Sequence, residues 1–460
     1  MNNQSQLDKL NPVNILSNFI FQTNFEDLPP DAVEATKTFI LDTIGVGIAG
    51  SNGPWVENLI KIVQQWGSGN DSRVIVHGTR LPATSAAIVN AYQIHCLEYD
   101  CVNEDAVLHP MATIMGALLS EIDRGKVYSG KDLITAVAVG VDSSSVLGLS
   151  SRSPMRFFRP STAGAFGATA AIAKLRGFGV DEIINAFGAT YGQISGTLQP
   201  HLEGSPVLGM QIGFCARASI AACDLAKEGL NGPKDVFSGQ YGYLSLFEGE
   251  YDFDKAFANL GSDWQVSRLS HKPFPSGRLT HGMVDGVQRL QKNNKLEPSD
   301  IDKIRCIVPP LAHRLTGRPD IEKPEPNYAK LCIPFVTATA ILEGSVDVKH
   351  FEKKWLLNPK VHELAKRIMS IESDEKNPNV MSPQLLEVYL KNKEVLRVKI
   401  PAIYGHPENP LSEEENKNKF LNAWKSAAKV LDPLKAEKII LIVDKLESSE
   451  NVSELIDLSL

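Results

Sequence analysis

The stretch STAGAFGATAAIAKLRG, residues 161–177, consists almost entirely of small and apolar residues. Alanine favours helix, and small side chains at helical spacing let two helices approach closely. The spacing from Gly164 to Ala168 also suits a nucleotide-binding loop, but the chain has neither a Walker motif nor a GxGxxG that follows a strand. We therefore predict a closely packed helix here.

Segments of similar composition lie on both sides of this stretch. After Pro29 and Pro30, apolar residues at positions 33, 40 and 44 follow helical spacing and predict a helix over 31–50. Helical patterns also cover residues 83–100, 109–125, 131–150, 181–196 and 209–229. Residues 1–264 are therefore predicted to form an all-helical domain.

The pattern changes near residue 265. Alternation in IDKIRCIVPP (301–310) predicts a half-buried strand, and LLEVYLKNKEVLRVKIP (385–401) predicts a hairpin. Helical patterns over 328–344 and 358–369 lie between them, so residues 265–405 are predicted to form a smaller α+β domain. Residues 406–460 return to helix, with Ser412 as an N-cap, and the acidic, serine-rich last dozen residues are expected to fray.

The bulk properties describe a soluble enzyme-sized chain. With 460 residues, the chain is too long for a single hydrophobic core, so two domains are expected. A formal net charge of −7 argues against nucleic acid as a partner. No apolar run is expected to span a membrane, and the start MNNQSQLDKLNP lacks the features of a secretory signal. Six cysteines without a CxxC pair favour buried, reduced thiols and a cytoplasmic protein.

Two polar clusters could carry chemistry. HCLEYDCVNEDAVLHP (95–110) places His109 beyond a helix that carries Glu98 and ends near Asp100, and a histidine beside carboxylates can act as a general acid or base. SHKPFPSGRLTHG (270–282) groups Lys272, Arg278 and His281, which suits an anionic substrate. Capped helix ends and charged surface turns explain such clusters equally well.

A third candidate is MRFFRPSTAG (155–164), where Arg159 precedes a helix and could bind a carboxylate at the helix N-terminus. Gln211 lies in another predicted helix and is a further substrate-binding candidate. No HExxH motif, zinc-ligand spacing or oxygen cage is present, so we expect no metal. No GxSxG elbow supports triad chemistry.

Several segments, in this order, resemble the MmgE/PrpD family, which includes 2-methylcitrate dehydratase, cis-aconitate decarboxylase and iminodisuccinate epimerase. They span nearly the whole chain: LDTIGVGIAGS (41–51), NAYQIHCLEYD (90–100) with HP at 109–110, FFRPSTAGAFGATAAIAKLRG (157–177), HKPFPSGRLTH (271–281), IPFVTATAILEG (333–344) and GHPENPLSEEENKNKF (405–420).

The resemblance implies a mostly α fold: a large all-helical domain built from both termini, and a smaller α+β lid domain from the second half. It implies a homodimer that acts on small di- or tricarboxylic acids without metal or organic cofactor. Carried over by position, the implied site contains Asp100, His109, Lys272 and His281, with Glu98 as a further member.

The chain departs from the decarboxylase pattern at three places. Arg159 stands where that branch has a histidine, Val207–Gly209 replace a lysine-containing segment, and Phe335 replaces a substrate-contacting tyrosine. The chain thereby lacks two side chains that would donate hydrogen bonds to substrate carboxylates. Arg159 cannot transfer protons as histidine does.

The leading hypothesis is a cofactor-independent dehydratase of a citrate-like acid. His109 and His281 are the candidate base and acid, and Asp100 orients one imidazole. Arg159, Lys272 and Arg278 would hold the substrate's carboxylates, with Glu98 and Gln211 also contacting it. The alternatives are an epimerase of a dicarboxylate, a cis-aconitate-type decarboxylase and a non-catalytic scaffold or regulatory protein.

Overall fold

The computed structural model describes residues 11–293 and 296–460; the N-terminal segment considered for a signal lies almost entirely outside this range. The fold is mostly α. The helices before residue 260 are Pro12–Gln22, Pro30–Gly50, Val56–Trp66, Ala83–His95, Pro110–Ile122, Gly130–Leu149, Arg159–Arg176, Val180–Tyr191, Gln199–Glu203, Val207–Lys227 and Phe253–Phe257.

These helices build the larger of two hydrophobic cores. Their small residues allow close approach, as the sequence predicts: a Cβ on Gly164 would lie 2.8 Å from Oγ1 of Thr113 on a neighbouring helix. A Cβ on Gly213 would lie 2.5 Å from the carbonyl oxygen of Ile88. Neither position accommodates a larger residue without movement, so glycine sets how closely helices Pro110–Ile122 and Ala83–His95 are approached by their neighbours.

Within the described residues, helix Gly130–Leu149 is the one long and apolar enough to cross a membrane, and 89% of its apolar window is buried inside the protein. The expectation that no apolar run reaches this length was wrong. The cause is composition, because the core helix of a large bundle is apolar all round. All six cysteines are free and buried, as predicted.

The C-terminal helices Glu413–Lys425, Pro433–Asp444 and Glu454–Leu458 join the first core. Ser412 caps the first of them by accepting a hydrogen bond from the Glu415 amide, as predicted. The prediction that the last dozen residues fray was wrong. Leu455 and Ile456 are buried, and the Ser459 carbonyl accepts a hydrogen bond from the Val76 amide.

A second core lies around a four-stranded sheet. In spatial order its strands are Ile368–Glu372, Ile301–Val308, Gln384–Leu390 and Val395–Ile400, with the first pair parallel and the others antiparallel. The predicted strand and hairpin are present. The helix predicted over 358–369 ends at Ala365, and its last residues begin the edge strand.

The remaining helices of this region pack with the sheet or connect its strands: His281–Asn293, Pro310–Thr316, Pro326–Lys330, Ile333–Glu343, Lys353–Leu356 and Pro359–Ala365. The two cores meet where strand Val102–Asn103 pairs antiparallel with Leu269–Ser270. This pairing brings the segment after residue 95 against the segment that begins at residue 270. The domain boundaries at 264 and 405 stay a prediction.

Candidate active site

The segment between helices Ala83–His95 and Pro110–Ile122 carries the first polar cluster. Its backbone adopts φ 53° at Glu98 and φ 50° at Val107, the left-handed region that non-glycine residues rarely enter. Such strain persists only where the surroundings hold it in place, and it concentrates at functional sites. Pro110 begins the following helix and directs His109 to its N-terminal end.

A network of buried charged side chains lies beside this segment. Nδ1 of His95 lies 3.1 Å from the Asp100 carboxylate, and its Nε2 lies 3.4 Å from Glu98. Glu98 in turn accepts a hydrogen bond of 2.8 Å from Nζ of Lys272, which also lies 3.9 Å from Asp100. The first and second polar clusters therefore meet, although about 170 residues separate Glu98 from Lys272.

The charges in this buried network balance one another. Burial lowers the pKa of His95, but the carboxylates of Asp100 and Glu98 outweigh it and raise the pKa to about 9. Burial opposes ionisation of Glu98, yet Lys272 and His95 hold the pKa of its carboxyl well below its usual range. The pKa of Asp100 is lowered against burial by His95 and His109. Two carboxylates therefore face one imidazolium and one ammonium.

His109 links this network to a cavity. Its Nδ1 lies 3.2 Å from Oδ2 of Asp100, an oxygen that Nδ1 of His95 also approaches, and its side chain is 14% exposed. Burial and the Lys272 ammonium lower the pKa of His109, although Asp100 opposes them. At neutral pH the imidazole is therefore uncharged. With Nδ1 directed to Asp100, Nε2 is the nitrogen available to accept a proton from a molecule in the cavity.

The cavity has a volume of about 60 Å³ and lies between the two cores. Its charged or titratable lining residues are Glu98, His109, His201 and Arg278. The remaining walls are mostly apolar and include Phe158, Leu279, Leu331 and Met381. A largely apolar wall with a few convergent polar groups is typical of a small-molecule site, although the volume is below the roughly 300–1,000 Å³ of usual ligand pockets.

His95, Asp100 and His109 place their ligand atoms within 4.8 Å of one another, a spacing that a metal ion could bridge. The chemistry of the donors does not fit a metal well. His95 directs both ring nitrogens at carboxylates and has a raised pKa, and a protonated imidazole cannot ligate. The expectation of a metal-free enzyme stays a prediction.

Arg159 does not face the cavity. Its guanidinium is 1% exposed and donates to both carboxylate oxygens of Glu248, with Nη2 at 2.7 Å, and to the carbonyl oxygen of Ala106. This geometry is that of a structural ion pair and weighs against Arg159 as a substrate clamp, an assignment that stays a prediction. The sequence offered no sign of the partner, because Glu248 lies 89 residues away.

Arg278 lines the cavity, but all five of its N–H groups are used by the protein. Nε and Nη2 donate to Glu104, and the other three donate to the carbonyl oxygens of His271, Ile403 and Tyr404. It therefore has no free donor for a substrate carboxylate in this structure. Its bonds instead hold three chain segments together beside the cavity.

Gln211 and His281 also lie away from the cavity wall. The Gln211 amide is bonded to both backbone groups of Thr197, so it holds that loop rather than a substrate. His281 is fully buried, and its Nε2 lies 3.1 Å from the carbonyl oxygen of Ser276. Burial, Arg278 and Lys272 hold the pKa of His281 well below its usual range, which weighs against its assignment as the general acid.

The predictions for His109, Asp100, Glu98 and Lys272 thus concern residues that the structure brings together. Sequence reasoning did not select His95. Its contact with Glu98 does not arise from helical spacing, because the helix ends at His95 and Glu98 lies beyond it. It also missed His201, Arg318 and Lys330, which come from other segments. None of these three stands in a recognisable motif, so only tertiary contacts reveal them.

Two family models together match most of the chain: the MmgE/PrpD N-terminal domain over residues 14–256 and the MmgE/PrpD C-terminal domain over residues 274–448. Similar curated proteins include the cis-aconitate decarboxylase-like protein oryM of Aspergillus oryzae, 27% identical over 96% of both chains. The cis-aconitate decarboxylase of Mus musculus is 26% identical over 92% of this chain and 88% of its own. That of Homo sapiens is 27% identical over 92% and 89%. The chain therefore belongs to the MmgE/PrpD family.

Proposed function

We propose that this chain is a cofactor-independent lyase of a small citrate-like di- or tricarboxylic acid, and that it acts as a dehydratase. The observation that carries the proposal is the position of His109. Its imidazole is uncharged, has Asp100 behind it at 3.2 Å and faces the cavity with its other nitrogen. That arrangement suits a general base that removes a proton from the carbon next to a carboxylate.

Two cations that lie behind the cavity wall suit an anionic substrate. Arg318 and Lys330 have no carboxylate within ion-pair distance among residues 11–293 and 296–460. Burial lowers the pKa of Lys330 to about 8, so this side chain is still mostly cationic at neutral pH. Next to a balanced network, these two charges favour a carboxylate and the enediolate-like charge that develops on it.

The reaction needs one further proton transfer. After His109 takes the α proton, the hydroxyl on the next carbon must leave as water, and a proton donor must reach its oxygen. Protonated His109 is itself a candidate for that step, since His281 lies away from the cavity. The residues on the page supply binding, a base and compensating charge without a cofactor.

Decarboxylation is a second candidate, because the curated relatives above carry the name cis-aconitate decarboxylase over nearly their full lengths. Two observations weigh against it. Loss of carbon dioxide must be followed by protonation of carbon, whereas His109 is poised as a base. Val207–Gly209 and Phe335 also lack the donors of the decarboxylase branch, and Phe335 is buried away from the cavity lining.

Epimerisation shares the first step and differs in the return of the proton to the opposite face. A panel of acids separates the three reactions. Purified protein is incubated with citrate, 2-methylcitrate, cis-aconitate and iminodisuccinate. Formation of an unsaturated acid identifies a dehydratase, and release of carbon dioxide identifies a decarboxylase. A change of optical rotation with neither of these products identifies an epimerase.

The same panel tests the non-catalytic alternative. A scaffold protein would convert none of the four acids, and none would raise its melting temperature, since a ligand stabilises only the state that binds it. We expect conversion of a hydroxy acid to an unsaturated acid. Release of carbon dioxide from cis-aconitate without dehydration would reject the dehydratase proposal and favour the second candidate.

The proposal includes a homodimer in the cytoplasm, and it includes neither nucleic acid nor membrane as a partner. Light scattering after size-exclusion chromatography tests the dimer. A mass near twice the 50.3 kDa of the chain is expected, and a mass of one chain at micromolar concentration would reject it.

A further inference from the structure

His201 contributes to the cavity from outside both polar clusters. It lies in the short helix Gln199–Glu203 and is 6% exposed. Its ring lines the same cavity as His109 and Glu98. Its chemistry differs from that of His109 because the group at its Nδ1 is a cation instead of a carboxylate.

Arg318 determines which nitrogen of His201 carries the proton. Nη2 of Arg318 lies 2.9 Å from Nδ1 of His201. A guanidinium is always protonated and can only donate, so Nδ1 must accept and the ring proton must reside on Nε2. The tautomer therefore follows from the identity of the neighbour.

The Arg318 guanidinium is itself held in place. It donates to the carbonyl oxygens of His201, at 2.9 Å, and Leu315, at 2.8 Å, and it lies 4.9 Å from the ring centroid of Tyr328. A fixed cation behind the imidazole polarises the Nε2–H bond and strengthens it as a donor to an anion. Burial and Arg318 lower the pKa of His201 to about 3, so the ring stays neutral at any working pH.

The Nε2–H group has no acceptor within the part of the chain that the structure describes. Because Nδ1 faces Arg318, which does not line the cavity, the Nε2 edge is the one that faces it. The Nε2 atom is not fully enclosed by the protein, so a molecule in the cavity can reach it and accept its hydrogen bond. An acceptor brought by a bound ligand would complete the site.

We propose that His201 is a substrate-binding residue that donates its Nε2–H to a carboxylate oxygen of the acid, with Arg318 fixing its tautomer from behind. The inference rests on the proposed function, because it requires an anionic substrate in this cavity. It gives the two cavity histidines different tasks: His109 exchanges a proton, and His201 holds the substrate without titrating.

Two substitutions separate the donor from the rest of the side chain. His201→Asn keeps an oxygen near the position of Nδ1, which can still accept from Arg318, but removes the donor at Nε2. His201→Gln places an amide N–H near the position of Nε2. Both are compared with His313→Asn, because His313 lies in the second core and contacts Ser370 instead of the cavity.

The measurement is KM and kcat for the acid of the panel that the wild-type protein converts, together with the melting temperature. We expect His201→Asn to raise KM at least tenfold with kcat changed less than threefold. His201→Gln should return KM to within about threefold of wild type. A purely structural His201 would lower the melting temperature in both variants without this split between them.

If His201→Asn does not fold, His201→Gln is compared with His201→Glu, which has the same shape but no N–H donor and should show the higher KM. An unchanged KM in the donor-free variant of an active enzyme overturns the role of His201 and leaves the proposed function intact. If the wild-type protein converts nothing, calorimetric Kd values for citrate and cis-aconitate replace KM. Failure of the wild-type protein to bind either acid overturns both proposals.

Discussion

Nδ1 of His109 lies 3.2 Å from a carboxylate oxygen of Asp100, and the opposite edge of the imidazole faces the cavity. The carboxylate is fully buried and is shared with His95, which lies 3.1 Å away. One anion therefore orients two histidines in different protonation states. The first two predictions follow from this contact.

Replacing the proposed base should nearly abolish turnover. His109→Gln is expected to lower kcat by roughly 100-fold or more, because general acid–base groups contribute effects of that size. Initial rates on the converted acid provide the measurement, and circular dichroism checks the fold. His313→Gln, a substitution outside the site, should leave kcat unchanged. Near-wild-type turnover by His109→Gln would reject the assignment.

The pH profile should report the neutral state of His109. Because its pKa is lowered from 6.5, kcat/KM should rise with pH, with a midpoint below 6.5, and be flat near neutrality. Protonation at low pH removes the base, which sets the sign. Asp100 raises the pKa of His109, so Asp100→Asn should move the midpoint to lower pH. A midpoint above 7 in the wild-type protein would contradict this reading.

His281, which the sequence predicts to be the general acid, should behave differently from His109. His281 is fully buried outside the cavity lining, and its Nε2 lies 3.1 Å from the Ser276 carbonyl oxygen. His281→Gln is therefore expected to cost about 1–2 kcal/mol of folding free energy while changing kcat less than threefold. Chemical denaturation and initial rates measure the two effects. A 100-fold loss of kcat at unchanged stability would restore His281 to the catalytic site.

Arg159 should affect stability and not substrate binding. Arg159→Lys keeps the charge but loses the two-point contact with Glu248, and weakening a buried pair costs about 3 kcal/mol. The melting temperature should fall while KM stays within twofold. Glu248→Gln should reproduce this result, since it breaks the same pair from the other side. A raised KM at unchanged melting temperature would show that Arg159 binds substrate.

Removal of divalent cations should leave the reaction unchanged. The raised pKa of His95 keeps a proton on one of the three residues that could hold a metal, so the network is balanced without an ion. After dialysis against EDTA, kcat/KM should remain within twofold of its initial value. Loss of activity that added Zn²⁺ or Mg²⁺ restores would contradict the expectation.

Local patterns in the sequence were sufficient for most elements of the fold. Helical spacing and small residues predicted the bundle, and alternation predicted the central strand and the hairpin. The edge strand Ile368–Glu372 was missed because it pairs in parallel with residues 304–308, and the residues next to it in sequence give no sign of that pairing. The fraying predicted for the C-terminus was wrong because the buried contacts of Leu455 and Ile456 lie with residues far along the chain.

The candidate site shows the same division. Residue types and spacing alone identified a segment with His109 and Asp100 and a second segment with Lys272, because histidines and carboxylates at a helix end are visible locally. Which charges compensate one another was decided by tertiary structure. Glu98 is paired with Lys272, Arg159 with Glu248, and Arg278 is saturated by three carbonyl groups, two of them more than 120 residues away, and by Glu104. A sequence specifies which groups can ionise, but only the folded chain specifies their partners and burial, and those two quantities set the pKa and the free donors of each group.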